Sequence, residues 1–166
     1  YERGVIKGKL EKDLLYSQEA NFVEKIHDLV PNERYLSFLD MFTRMFNRNL
    51  AENIPDEIKK EIYGESLSAP KEFDYISPPY ERMLNYHAAH DIGHALQSLA
   101  LVGCSSFGVW GGHSADSSML IGRNLDFYLG DKFARDKIVY FCNPTEGHKF
   151  AMVTWAGFMG CVSGMN

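Results

Sequence analysis

The sequence lacks a basic footprint. It holds 17 Lys and Arg against 22 Asp and Glu, a net charge of -5, and this speaks against nucleic acid as a partner. It also lacks any run of about 18 uninterrupted apolar residues, so no membrane span is expected. No apolar leader follows Tyr1-Glu2-Arg3-Gly4. Cysteine is scarce: Cys104, Cys142 and Cys161 make three. An odd count without paired spacing argues against both a disulfide framework and a cysteine metal site. Internal repeats and low-complexity tracts are missing as well. What is abundant is aromatic: 11 Phe, 9 Tyr and 2 Trp in 166 residues. Such side chains need burial, so the chain has a real core and the length of one domain.

The order of patterns predicts an α+β fold, with helices first and antiparallel strands after. Apolar residues at helical spacing (Leu10, Leu14, Leu15, Phe22, Ile26, Val30) predict a helix over 7–30, ended by Pro31-Asn32. Leu36, Leu39, Phe42, Met45 and Phe46 predict a second over 33–49. Pro55-Asp56-Glu57 opens a third, with Gly64 as its expected end. A fourth is expected over 79–101. The run Lys59-Lys60-Glu61 reads as a solvated helix face, and Trp110, Trp155 and the other aromatics as core. Beyond Gly103 the chain turns small, apolar and aromatic. Strands are expected over 104–110, 119–128, 137–143, 149–155 and 157–162, forming a meander. Gly164-Met165-Asn166 follows a strand pattern where a turn into a further strand is expected, so the chain reads as a fragment of a longer protein.

The chemistry centres on Gly103-Cys104 and on the second strand that returns past it. With a loop between Trp110 and Met119, facing residues sum to roughly 229 or 230 in a one-to-one antiparallel ladder. Cys104 then lies opposite Leu125 or Asp126, at about 5 Å, with Arg123 close by. A cation beside a thiol favours the reactive thiolate. No histidine is well placed as a base: His113 is at the far end of the hairpin and His148 in a turn. Cleavage of the Gly103–Cys104 bond supplies one. It frees an α-amine on Cys104 whose ordinary pKa of about 7.7–8.0 suits proton acceptance near neutrality. Cys142 and Cys161 read as structural thiols.

Cys104-Ser105-Ser106-Phe107, followed by Ile121-Gly122-Arg123-Asn124-Leu125-Asp126-Phe127, resembles the mature amino terminus of N-terminal-nucleophile (Ntn) cysteine hydrolases. The group it is most similar to is the acyl-coenzyme A:6-aminopenicillanic acid acyltransferase-like family, peptidase family C45. Choloylglycine hydrolases, penicillin V acylases and acid ceramidase-like amidases are related to that family. The lead-in Ala89-His90-Asp91-Ile92-Gly93-His94-Ala95-Leu96-Gln97 and the late Trp155–Asn166 stretch share the likeness. The resemblance implies self-cleavage between Gly103 and Cys104, and an acyl-thioester on Cys104. It implies Asp126 holding the α-amine and Arg123 beside thiol and substrate. The fold implied is the first part of an αββα sandwich, with 1–103 a helical leader or α-subunit-like segment and 104–166 the start of the sheet domain. It implies no cofactor and no metal. The partners implied are a small-molecule acyl-amide substrate and the remainder of the polypeptide beyond Asn166, with a homo-oligomer left open. Export from a bacterium is the weakly favoured location.

Two rival readings stand beside it. His87, His90 and His94 share one helix face and could ligate a metal. His90-Asp91 is similar to the core of HD-type metal-dependent phosphohydrolases, with His27-Asp28 as recruits. The bland alternative is that these histidines pack against the sheet or hydrogen-bond backbone. The other rival is a non-catalytic Ntn-like domain.

Overall fold

The computed structural model describes residues 1–29, 32, 47–95, 102–127 and 130–166. Among these the chain is mixed α+β, with helices preceding antiparallel strands. Helix α1 (Glu2–Leu10) and helix α2 (Lys12–Leu29) replace the single expected helix. They meet at Glu11, where φ -108 and ψ 18 bend the backbone while Glu11 N–H still reaches Lys7 O. The expected 33–49 helix falls outside the described residues except at its end, where Asn47–Asn53 is a 3-10 helix. Helix α3 (Asp56–Ser66) follows Pro55 and carries Asp56 and Glu57 in its first turn, where the dipole favours acids. Helix α4 is Pro79–Ala95; the rest of the expected fourth helix lies outside the described residues.

Contacts group the chain into two units, Tyr1–Ala89 with Leu129–Asn166, and His90–Tyr128. In the first unit, α1 lies backbone-close on α3. A Cβ on Gly4 would strike Glu61 O, one on Gly8 would sit 2.9 Å from Glu65 O, and one on Gly64 would strike Tyr1 O. Gly64 therefore does not end α3. It is a contact point inside the helix, and its value is the missing side chain. The same approach buries charge. Arg3 pairs with Glu61 and Lys7 with Glu65, so Glu61 is buried and not on a solvated face. The core of this unit joins Leu15, Ile62, Met83 and Leu84 from the helices with Ala156 and Met159 from the C-terminal part. Each such buried side chain is worth about 1.5–3 kcal/mol.

The strands of this unit are β3 (Ile138–Cys142), β4 (Phe150–Thr154) and β5 (Gly164–Met165), all antiparallel in the order β3-β4-β5. Val139 faces Val153, and Ala151 faces both Phe141 and Met165. The expected strand over 157–162 does not form. Gly157 has φ +82, and Gly157 and Met159 give their N–H groups to side chains and not to a ladder. One face of the sheet is covered at Cys142, Met152 and Thr154, while Val139, Phe141, Val153 and Met165 on the other are exposed and apolar.

The second unit holds β1 (Val102–Gly111) and β2 (Ser117–Phe127), paired as a hairpin. The expected single meander is thus two separate sheets among the described residues. Trp110 is no core residue: it occupies the one register shift of the hairpin, between Val109 and Gly111, and is 61% exposed.

Candidate active site

The hairpin register decides between the two sequence alternatives. Facing residues sum to 229 through the site: Cys104 faces Leu125, Gly103 faces Asp126, and Ser106 faces Arg123. Side chains of facing residues share a side of the sheet, and successive residues alternate. Cys104, Ser106, Arg123 and Leu125 therefore lie on one face. Gly103, Ser105, Asn124 and Asp126 lie on the other. On the first face Arg123 reaches diagonally across, with Nη2 donating to Cys104 Sγ at 3.5 Å. Both residues are exposed, so the pair is screened by water and open to an incoming molecule.

Asp126 does not share the thiol's face. Its Oδ2 lies 3.8 Å from the point where a Gly103 Cβ would sit. It addresses the residue on the amino side of Cys104, where backbone is exchanged for amine if that bond is cut. The two attendants of the thiol thus approach from opposite faces: a guanidinium at sulfur, a carboxylate at the peptide. β1 runs straight across the Gly103–Cys104 bond.

The glycines of the hairpin differ in kind. At Gly122 a Cβ would run into the ring of Phe107, its cross-strand partner. The exposed Phe107 ring lies over the bare backbone, and a side chain at 122 would make that ring swing away. At Gly103 an added Cβ meets only ordinary contacts, and its φ is outside the left-handed region. Neither crowding nor backbone conformation asks for glycine there.

His87 is a structural residue. Its Nδ1 lies 2.6 Å from Met83 O, and its Nε2 accepts the Met159 N–H at 2.8 Å. The ring stacks on Phe158 with centroids 4.9 Å apart. Burial pushes its pKa down to about 4, so it is neutral at ordinary pH. With both nitrogens engaged it has no lone pair left for a metal, which matches the backbone-bonding alternative. The side chains of His90 and His94 lie outside the described residues. Tyr80 and Tyr86 belong to the first unit. Tyr80 packs edge-on to Tyr63, and partly buried Tyr86 donates to Glu19 Oε1 at 2.9 Å.

The sequence reading missed two buried charge clusters in the first unit. In one, Lys7 Nζ touches Glu11 Oε1 at 2.5 Å and Glu65 Oε1 at 2.9 Å, and the same two oxygens accept the Gly157 N–H at 3.1 and 3.2 Å. In the other, Arg82 binds Glu19, Asp74 and the carbonyls of Pro70 and Ser77. The Gly4-x-x-x-Gly8 spacing was the available signal for the first, since it lets two helices approach and close over what lies between. No protein family, no curated protein and no solved structure matches this chain.

Proposed function

We propose that the chain belongs to an autoprocessing cysteine amidohydrolase or acyltransferase of the Ntn type, acting on a linear amide. Cys104 Sγ attacks the carbonyl carbon of Gly103, the peptide nitrogen takes the thiol proton, and water hydrolyses the resulting thioester. Gly103 leaves as a carboxylate and Cys104 keeps a free α-amine. In turnover that amine accepts the thiol proton as sulfur attacks a substrate amide, and the proton passes to the departing amine. The acyl group stays on sulfur as a thioester until water or an acceptor amine removes it. Arg123 stabilises charge at sulfur, and Asp126 holds the α-amine from the opposite face.

The observation that carries this reading is the Arg123–Cys104 contact on a hairpin whose register sets Asp126 opposite Gly103. A glycine at 103 that neither packing nor backbone requires supports it, because the remaining reason for a bare Cα is access to the carbonyl carbon. The αββα sandwich is supported by the exposed apolar face of β3–β5. A sheet apolar on both faces is one with a layer on each. The reading of His87, His90 and His94 as a metal face loses His87, whose ring nitrogens are taken.

The test is intact mass of the protein isolated at its natural length. The wild type should give two fragments that meet between Gly103 and Cys104. Cys104→Ala should stay in one piece and be inactive on acyl amides. Asp126→Asn should still be cut but turn over acyl amides more slowly than the wild type, because the freed α-amine loses the carboxylate that holds it. Cys104→Ala that is cut and active like the wild type overturns the proposal.

A further inference from the structure

Residues 155–159 leave β4 and cross the helices of the first unit without forming a strand. Two of their backbone N–H groups are held by side chains that bind protons. Gly157 N–H donates to Glu11 Oε1 and Glu65 Oε1, and Met159 N–H to His87 Nε2. The two carboxyl oxygens share the Gly157 donor and also share Lys7 Nζ, at 2.5 and 2.9 Å. They therefore crowd one spot with a single lysine between them. Glu65 Oε2 is buried with no hydrogen-bond partner among the described residues. Gly157 is bound to this geometry. Its φ is +82, and a Cβ there would sit 2.9 Å from Leu15 Cδ1.

We propose that 155–159 is a proton-controlled strap, seated on the helices while Glu65 holds its proton beside Glu11 and His87 carries none on Nε2, and loosened by alkali at the first anchor and by acid at the second. The charged neighbours fit this division. From α1 come Lys7 and Arg3, from the α1–α2 junction Glu11, from α3 Glu61 and Glu65, from α4 His87, and from β3 Tyr140 and Cys142. Arg3 is committed to Glu61 and also reaches Cys142 Sγ at 3.7 Å. α2 offers this spot Leu15, which is apolar. One lysine thus faces two carboxyls, and a proton supplies the missing positive charge.

Burial, with Glu11 beside it, pushes Glu65 up to about 8. Loss of that proton leaves two negative oxygens on one donor pair and drives them apart. Burial likewise pushes His87 down to about 4. A proton on Nε2 replaces the acceptor of Met159 N–H with a second donor.

The test is amide hydrogen exchange of the 166-residue chain from below pH 4 to above pH 8, corrected for intrinsic exchange. Protection of the Gly157 and Met159 amides relative to Met152 should fall by about tenfold or more on each side of the window. Trp155 emission in a Trp110→Phe background should shift to the red with it. Glu65→Gln, which mimics the protonated acid, should abolish the alkaline change and keep the acid one. His87→Gln, an acceptor that does not protonate, should do the reverse. Flat protection across the range overturns the proposal, as does an alkaline change that persists in Glu65→Gln. Should a variant fail to fold, the Glu65 carboxyl carbon of the wild type is followed by NMR, and titration in the ordinary glutamate range overturns it equally.

Discussion

A missing Cβ means different things at different places along this chain, and the difference is testable at Gly103. Alanine there meets Asp126 only at ordinary contact distance. Strand positions favour alanine over glycine, by up to about 1 kcal/mol. Gly103→Ala should therefore leave the hairpin's folding unharmed while slowing cleavage of the 103–104 bond, read together by hydrogen exchange of the β1 amides and by intact mass. Gly122→Ala is the contrast: its methyl group meets the Phe107 ring, which must swing off the backbone, so the hairpin loses that packing. If Gly103→Ala instead weakens the hairpin as Gly122→Ala does, the glycine is structural after all. The site's register was legible at this scale because loop length and one-to-one pairing fix which residues face each other. What pairing sums left open was a parity. An offset of one residue puts Asp126 on the other face, and only the observed ladder shows that it meets Gly103 and not the thiol.

Elements were legible where apolar periodicity spoke and misread where close packing did. The strands β1 to β4 fall within about two residues of their sequence limits. Gly64 was misread because glycine near a helix end commonly stops it. Here it is one of three glycines that let α1 and α3 touch through backbone. Lys7, Glu11 and Glu65 look solvated by sequence, since lone charges rarely enter a core. They are buried because two helices without side chains between them close over the charges. The strand expected over 157–162 failed for the same reason, as its donors are claimed by buried acids and a histidine. This yields a prediction about α1. Alanine at Gly4 gains about 1 kcal/mol of helix propensity. It also drives a methyl group into Glu61 O, a backbone atom that cannot turn away. Steric cost, about 1–3 kcal/mol or more for such a clash, outweighs the gain, so Gly4→Ala should be less stable than wild type by urea unfolding. A Gly4→Ala chain more stable than wild type would show that α1 is not seated on α3 in this way.

At the scale of the whole molecule, the buried titrating groups set how stability varies with pH. Each group bound to one proton more or fewer in the folded state tilts stability by about 1.4 kcal/mol per pH unit. Glu65 is raised to about 8, so the folded state holds its proton where the unfolded chain has lost it. That contribution is complete below the ordinary glutamate range and declines as pH rises to about 8. Burial raises Glu19 as well, against the opposing pull of Arg82, and it declines in the same direction. His87 is lowered to about 4, so the unfolded chain takes up a proton that the folded state refuses. Its contribution is present above the ordinary histidine pKa and is lost as pH falls to about 4. Between the ordinary glutamate and histidine values, about 4.3 to about 6.5, the slopes of Glu65 and His87 oppose and nearly cancel. Above this range only the carboxyls titrate, and stability falls. Unfolding by urea should therefore show a broad maximum near pH 5–6, on the order of the window just derived, with a decline toward pH 8 that Glu65→Gln makes shallower. The exposed carboxyls Asp56 and Asp116, held low by Lys59 and Ser118, act only further into acid, and as surface groups weigh little. A stability that climbs from pH 6 to 8 would mean that Glu65 is ionised when folded, and that the two helices close over a net negative charge.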